Sequence, residues 1–212
     1  MKYDWRKVEK SLYGVKASPK VVNVPQQSFI MLDGTGNPNL PGFTEEVSAL
    51  YALAYAIKMD YKKSHANQEV QDFTVYPLEG IWQQKEQGEL VKEELIYTIM
   101  IGQPDFITGE MVKKALEQVR VKKPNPLEKV KVKKPNAHYE KIRFETVKEG
   151  KCLTMLHLGS FDSEPLSFAK MDAFCKENSL NRRFPFHREI YLNNLNRTSP
   201  DKLKTILRYQ VE

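Results

Sequence analysis

The sequence predicts an α+β fold in which a strand–helix–strand–strand module occurs twice. The first observation is internal similarity, since the runs FIMLDG at 29–34 and LTMLHLG at 153–159 are both apolar and both end in glycine. The second is that each run follows another strand-like stretch and precedes a loop and a helical pattern. Duplicated modules of this kind usually pair about a pseudo-twofold axis. We therefore expect antiparallel sheets with a cleft between the two halves, where ligand sites are favoured.

Four strands are expected in the first half of the chain. Val21–Val24 and Phe29–Gly34 are short apolar runs, and the polar residues 25–27 between them predict a turn. Phe73–Trp82 and Glu94–Gln103 are the two strand candidates that follow the first helix.

The second half repeats this order. Ile142–Val147 and Leu153–Gly159 are its first two strand candidates, with a polar turn predicted at 148–150. Phe186–Leu192 and Ile206–Val211 follow the second helix and complete the module.

Each module is expected to contain a helix after its second strand. The first helix begins near Thr44, a suitable N-cap, and the second near Ser163, with a proline in its first turn. Thr108 caps a further helix, and residues 198–201 begin a short one. The expected apolar stripes are Val47, Leu50, Ala54 and Ile57 in the first helix, Leu166, Ala169 and Ala173 in the second, and Met111, Val112, Ala115, Leu116 and Val119 in the helix that Thr108 caps.

The whole chain, 1–212, is interpreted as a single domain, because its length suffices for one sizeable core. Within it we expect a first repeat at about 20–119, a basic connector at 120–138 and a second repeat at about 139–212.

The net charge of +6, from 33 basic and 27 acidic residues, is concentrated in one stretch. Residues 120–134 contain seven basic residues and one acidic residue, and the rest of the chain, with 26 of each, is neutral. A solvated linker and a phosphate-binding arm both fit this composition. We favour the linker, because no aromatic residue is interleaved for base stacking, and we do not expect nucleic acid as a partner.

Several protein classes are excluded by what the sequence lacks. No apolar run approaches the roughly 18 residues that span a bilayer, and residues 1–10 have no apolar core of a secretory signal. Two cysteines, Cys152 and Cys175, make neither a disulfide framework nor a zinc signature. We therefore expect a cytoplasmic protein with no membrane partner. The four histidines and two cysteines have no metal-ligand spacing, and dinucleotide, P-loop and serine-elbow motifs are missing, so no metal and no cofactor is expected.

The segment HREIYL at 187–192 carries the most informative pattern. Alternate residues of a strand share a face, so His187, Glu189 and Tyr191 point one way while Arg188 and Ile190 point the other. A carboxylate between two aromatic rings either faces a ligand or pairs with His187 on an exposed face, since burying it unpaired is costly. The segment alone leaves both interpretations open.

Three further aromatic positions fit a core as well as a site. Trp82 closes the segment YPLEGIW, which begins at Tyr76, and a tryptophan near a strand end is more often core than ligand platform. Tyr97 shares a strand face with two isoleucines. His157, four residues before Phe161, is a lone histidine on an apolar strand, usually a structural residue.

Taken together, these segments resemble the GyrI-like small-molecule-binding family over nearly the whole chain, and most closely its stand-alone bacterial members without a DNA-binding domain. Order and spacing make the resemblance specific. The motifs that carry it are FIMLDGTGNPN, LYALAYAIK, PLEGIW, IMIGQPDFIT, RFETVKEGKC, MLHLGSFDSEP, HREIYLNN and PDKLKTILR.

The resemblance implies an SHS2-type module, duplicated around a central aromatic cavity with a buried glutamate that faces flat, often cationic ligands. By motif, the glutamate is Glu189, the PLEGLW-type tryptophan is Trp82, and the aromatic residue of the preceding strand is Tyr97. Further candidates for the ligand-binding wall are Tyr76, His157, Phe161 and Tyr191. The chain departs from the family pattern at Gln83, where relatives often have a second tryptophan, and at Phe161, which replaces a tyrosine.

Three hypotheses for the function follow. The first is a protein that binds aromatic or cationic xenobiotics. The second is a hydrolase that opens the cyclopropane ring of alkylating natural products, a reaction known among stand-alone relatives, with Glu189 as general base. The third is a protein-interaction module, such as an inhibitor of a DNA-handling enzyme, in which the basic connector contacts its partner. The sequence leaves the oligomeric state open.

Overall fold

A computed structural model describes residues 1–84, 91–121, 137–194 and 197–212. The basic stretch predicted at 120–134 lies almost wholly outside these residues, and with it the surface that the third hypothesis requires. The strands are β1 (Lys2–Tyr3), β2 (Lys20–Thr35), β3 (Asp72–Phe73), β4 (Leu78–Gln84), β5 (Leu95–Gln103), β6 (Arg143–Leu158), β7 (His187–Tyr191) and β8 (Lys204–Gln210). The helices are α1 (Trp5–Val8), α2 (Lys10–Tyr13), α3 (Pro41–Ser64), α4 (Gly109–Arg120) and α5 (Glu164–Glu177).

Six strands close into an antiparallel barrel in the order β2-β5-β4-β7-β8-β6. The first half of the chain contributes β2, β5 and β4, and the second half contributes β6, β8 and β7 in the corresponding places. The halves meet at the β4–β7 pair and at the β2–β6 pair. This arrangement confirms the predicted fold class, a duplicated strand–helix–strand–strand module with antiparallel pairing around a pseudo-twofold axis.

The turns predicted at 25–27 and 148–150 are wrong, because β2 and β6 each run through the polar residues as a 16-residue strand. The two strands pair with each other here, with Val24 opposite Gly150 and Gln26 opposite Lys148. Pro25 lies between these two rungs of the ladder. The polar residues therefore lie in a more exposed part of each strand, and the strand continues through them.

Other boundaries shift for local reasons. α3 begins at Pro41 and not near Thr44, since proline suits the first helical position. The predicted strand Phe73–Trp82 is interrupted before Leu78 and continues as β4. The Thr108 cap is confirmed, because its hydroxyl accepts the Met111 amide at 3.4 Å. The N-terminal elements β1, α1 and α2 were not predicted.

Helices cover the outer face of the barrel. α3 packs on β2 and β5, α4 packs on α3, and α5 packs on β6. Leu50, Ala54 and Ile57 of the predicted α3 stripe are buried.

The predicted stripe of α5 is wrong, because Leu166 is 70% exposed and Ala169 and Ala173 are also exposed. This helix buries a more polar face towards the barrel. That face consists of Glu164, Ser167, Met171 and Cys175.

Among the residues with described coordinates, no helix is long and apolar enough to cross a membrane.

Candidate functional site

The central strand pair β4–β7 separates two sets of charged residues by simple alternation. Gly80 lies opposite Glu189, and Trp82 lies opposite His187. Both pairs are on the outer face of the barrel. The intervening residues, among them Arg188, point inward. The alternation predicted for the segment 187–192 is therefore the one that the structure has.

A cavity of about 450 Å³ lies on the outer face of this strand pair. One wall is formed by the residues just before α3 and by its first turn. The other wall is formed by the residues around the start of α5. Five of the lining side chains are aromatic or phenolic: Phe43, Trp82, Phe161, Phe168 and Tyr191. The charged and titratable side chains that line it are Lys92, Asp162, Glu164, His187 and Glu189.

Glu189 is 8% exposed, and both of its carboxylate oxygens already accept hydrogen bonds. His187 Nε2 donates to Oε1 at 2.8 Å, and the Tyr191 hydroxyl donates to Oε2 at 2.9 Å. Burial, reinforced by the negative charge of Glu189, raises the pKa of Tyr191 well above its ordinary value, so this phenol stays protonated and keeps donating. The carboxylate is thus held in one orientation at the wall of the cavity.

Trp82 is fixed from two sides. Its indole Nε1 donates to the Tyr191 hydroxyl at 2.7 Å, which extends the chain of donors that ends on Glu189. Its ring also lies against Gly80, where an added Cβ would meet Nε1 at 2.5 Å. A glycine two residues before the tryptophan is therefore required by packing, which gives a physical reason for the spacing in PLEGIW.

Tyr97 supports this wall from behind and is not among the lining residues. Its ring lies 5.1 Å from that of Trp82 and 5.2 Å from that of Phe43. The ring is seated over Gly34, where an added Cβ would come within 2.3 Å of it. Its hydroxyl donates to Glu46 Oε2 at 2.8 Å, so α3 is tied to the strand beneath.

His157 lies next to the cavity wall and has a structural contact on each ring nitrogen. Nε2 donates to the Ser160 carbonyl at 2.9 Å, and Nδ1 lies 2.9 Å from the Ser167 hydroxyl. These bonds join β6 to the loop before α5 and to the first turns of that helix. Phe161, in the same loop, is 37% exposed at the mouth of the cavity, with its ring 5.9 Å from Tyr191.

Tyr76 lies elsewhere, in the wall of a second cavity of about 490 Å³. Its hydroxyl donates to Glu9, which also accepts the Tyr3 hydroxyl at 2.9 Å. Its ring stacks on Trp5 at 5.7 Å. The structure thus brings Glu189, Trp82, Tyr191 and Phe161 together and separates Tyr76 from them.

Glu164 is a cavity residue that the sequence interpretation missed. It stands in the first turn of α5, is only 7% exposed, and its Oε1 is buried without a hydrogen-bond partner. Burial, with a further contribution from the nearby charge of Glu189, raises its pKa to about 9. The signal was present in the sequence as an acid three residues before Ser167, on the face that α5 buries.

The inner face of the barrel holds a different set of charges. Arg188 Nε donates to Glu79 Oε2 at 2.6 Å, and its Nη1 donates to Glu149 Oε2 at 2.6 Å. Arg208 reaches the same Glu149 oxygen at 3.4 Å. Burial alone would raise the pKa of Glu149, but the two guanidinium groups outweigh it and hold that pKa below its ordinary value. All four side chains are buried. We call them the inner network.

The chemistry available in the cavity is that of carboxylates and aromatic rings. Within the described ranges, no cluster of three or more histidine, cysteine, aspartate and glutamate side chains could hold a metal ion. The aromatic walls suit a flat ligand, and the carboxylates suit a positive charge or a hydrogen-bond donor.

Known proteins match the chain over its full length. A family model, the GyrI-like small molecule binding domain, matches residues 17–210. An uncharacterized conserved protein from Listeria innocua is 33% identical with a TM-score of 0.86, and the alignment covers 99% of this chain and 100% of that one. Two structures of a hydrolase from Listeria innocua are 32% identical, with TM-scores of 0.83 and 0.85, and cover 99% and 100% of this chain and 100% of theirs. No curated protein matches. The chain belongs to the GyrI-like small-molecule-binding family.

Proposed function

We propose that this protein binds flat aromatic molecules that carry a positive charge, and that it thereby sequesters xenobiotics in the cytoplasm. The observation that carries the proposal is the position of Glu189, a carboxylate buried in the wall of an aromatic cavity. In this proposal Trp82, Tyr191 and Phe161 contact the ligand, while Tyr97 holds Trp82 in place.

Charge and shape both support such a ligand. A cation inside the cavity would lie close to Glu189 with little water between them, so their attraction would be poorly screened. Each aromatic face adds about 0.5–2 kcal/mol of cation–π attraction. A cavity that recognises a ligand by shape and charge, with few directional hydrogen bonds, would accept many compounds of this class.

The test compares two probes that share one ring system. N-methylacridinium is a permanent cation, and N-methylacridone is its uncharged ketone analogue. Replacing Glu189→Gln keeps the shape and removes the charge, so we expect about 10- to 100-fold weaker binding of N-methylacridinium, measured by fluorescence titration, and little change for N-methylacridone.

The control is Glu145→Gln, which removes a carboxylate from an exposed ion pair with Arg143. It should bind both probes as the unmodified protein does. An equal loss of both probes in the Glu189 variant would contradict the argument from charge.

As a second candidate function we propose hydrolysis of strained, cyclopropane-containing alkylating compounds with Glu189 as the general base. The observation that favours it is the 32% identity to the Listeria innocua hydrolase. In this proposal Glu189 takes a proton from a water molecule as the water oxygen bonds to the strained carbon. One ring C–C bond breaks, its electron pair stays with the other part of the substrate, and that part takes up the proton. The bonds from His187 and Tyr191 would keep the carboxylate aimed at that water.

Product analysis distinguishes the two candidates. Incubation with a cyclopropane-containing alkylator should yield several ring-opened product molecules per protein molecule if the protein is a hydrolase, and none with the Glu189→Gln variant. Stoichiometric binding without product would exclude hydrolysis and leave the binding function standing.

A further inference from the structure

The first turn of α5 places a second carboxyl group in the cavity, and its surroundings differ from those of Glu189. We propose that Glu164 is a protonated hydrogen-bond donor, and that the site therefore also binds aromatic ligands that carry a ketone-type oxygen. This inference rests on the proposed function, since it concerns the same cavity. It adds a ligand class, uncharged flat aromatic ketones, that Glu189 alone would not recognise.

Hydrogen-bonding capacity is unequally distributed between the two carboxyl groups. Glu189 already accepts from His187 and Tyr191, one bond on each oxygen. Glu164 Oε1 has no partner although the residue is more than nine-tenths buried. A buried polar atom without a partner is unfavourable, so a ligand that supplies a partner gains affinity. Glu164 therefore lines the cavity with hydrogen-bonding capacity that no described residue uses.

The surroundings of Glu164 favour its neutral form. Burial removes water from the carboxyl group, and Glu189 adds a negative charge to the same cavity. None of the ion pairs formed by the described residues includes Glu164. The position in the first turn of α5 favours the charged form, but burial has the larger effect. The other titratable groups around the cavity are Asp162, Lys92, His187 and Tyr191.

A protonated Glu164 beside the Glu189 carboxylate gives the cavity one hydrogen-bond donor and one group that attracts cations. The donor can bond a ketone oxygen, while the carboxylate attracts a cation. Deprotonation of Glu164 removes the donor and adds negative charge, so it should weaken the binding of a ketone and strengthen that of a cation. The two ligand classes are therefore expected to respond to alkaline pH in opposite directions.

The experiment measures the affinity of N-methylacridone and N-methylacridinium between pH 7.0 and 9.5. With a pKa of about 9, only about a quarter of Glu164 is protonated at pH 9.5, so N-methylacridone should bind about fourfold more weakly there. N-methylacridinium should bind severalfold more tightly. Glu164→Gln still donates an N–H but does not titrate, so both profiles should become flat while N-methylacridone binding persists.

Two further measurements keep the test decisive. Glu177→Gln, an exposed carboxylate at the other end of α5, should retain both pH profiles of the unmodified protein. The infrared difference spectrum between the unmodified protein and Glu164→Gln at pH 7.5 should contain the carbonyl stretch of a protonated carboxylic acid. Burial also raises the pKa of Glu79, but that residue is common to both proteins and cancels in the difference.

The outcomes separate this inference from the proposed function. If N-methylacridinium binds and depends on Glu189, but pH profiles persist in Glu164→Gln or are flat in the unmodified protein, the role of Glu164 is wrong and the proposed function stands. If N-methylacridinium does not bind the unmodified protein at all, the proposed function fails first.

Discussion

Arg188 and Glu189 are neighbours in β7, yet they belong to two regions with opposite charge balance. Inward, Arg188 joins the inner network, where two guanidinium groups offset two carboxylates. Outward, Glu189 and Glu164 face the same cavity, and among the described residues only His187 forms an ion pair with either of them. In the inner network the positive and negative charges balance. The other region has an excess of acid, which attracts a cation.

The comparison shows where an uncompensated charge is most costly, which is in the inner network and not in the cavity. Removing one partner of a buried ion pair leaves a buried charge uncompensated, whereas a cavity carboxyl group can be relieved by protonation or by a ligand. We expect substitutions in the inner network to act on stability and substitutions around the cavity to act mainly on binding.

The largest effect is expected from Arg188→Met. It leaves Glu79 without its ion-pair partner and Glu149 with Arg208 alone, so the free energy of unfolding should fall by about 3–5 kcal/mol in chemical denaturation. The matched control is Arg143→Met, which breaks an exposed pair with Asp33 of 2.7 Å and should cost less than about 1 kcal/mol. Equal losses in both variants would mean that burial does not set the energetics of these pairs.

An intermediate effect is expected from Gly80→Ala. The added Cβ would lie 2.5 Å from the Trp82 indole nitrogen, so the ring must shift and its bond to Tyr191 must lengthen. We expect a loss of about 1–3 kcal/mol of stability and weaker binding of N-methylacridinium. Gly42→Ala in α3, where nothing lies within 4 Å of the new Cβ, should be neutral or stabilising. Unchanged binding in the Gly80 variant would remove Trp82 from the site.

The smallest effect near pH 5 is the one that Glu164→Gln has on stability, and it grows as the pH rises. In the unmodified protein the folded state keeps a proton that the unfolded chain releases above its ordinary pKa, so stability should decrease as pH rises towards about 9. The variant has no such proton. Its free energy of unfolding should exceed that of the unmodified protein by about 1.4 kcal/mol for each pH unit above the ordinary pKa of a glutamate, which is several kcal/mol at pH 8–9, and the difference should nearly vanish towards pH 5. A difference that is independent of pH would show that Glu164 is ionised in the folded state.

The sequence predicts the part of this site that lies on a strand better than the part that lies on a helix. In β7, alternation alone places His187, Glu189 and Tyr191 on one face, and the fold class and family follow from the duplicated motifs. In α5, the apolar stripe through Leu166 points to the wrong face. Helical apolar periodicity locates a buried face only when that face is apolar, and this helix turns Glu164 and Ser167 inward.

The separation of Tyr76 from the other aromatic candidates could not be predicted for another reason. Tyr76 lies only six residues before Trp82, but Pro77 interrupts the strand, and the tyrosine ring packs on Trp5 of the N-terminal segment. That segment gave no strong pattern in the sequence. A residue whose position is set by an unpredicted partner cannot be placed from its own neighbourhood.

The alternation in β7 also bears on how reliably this strand finds its partners during folding. A slip of one residue would exchange the two faces, placing Glu189 beside Glu79 and Glu149 and turning Arg188 towards the cavity. Three carboxylates would then share the interior with the single guanidinium of Arg208. The inner network thus helps to fix the register of β7, because repulsion between these carboxylates destabilises the mispaired strand whether or not a ligand is bound.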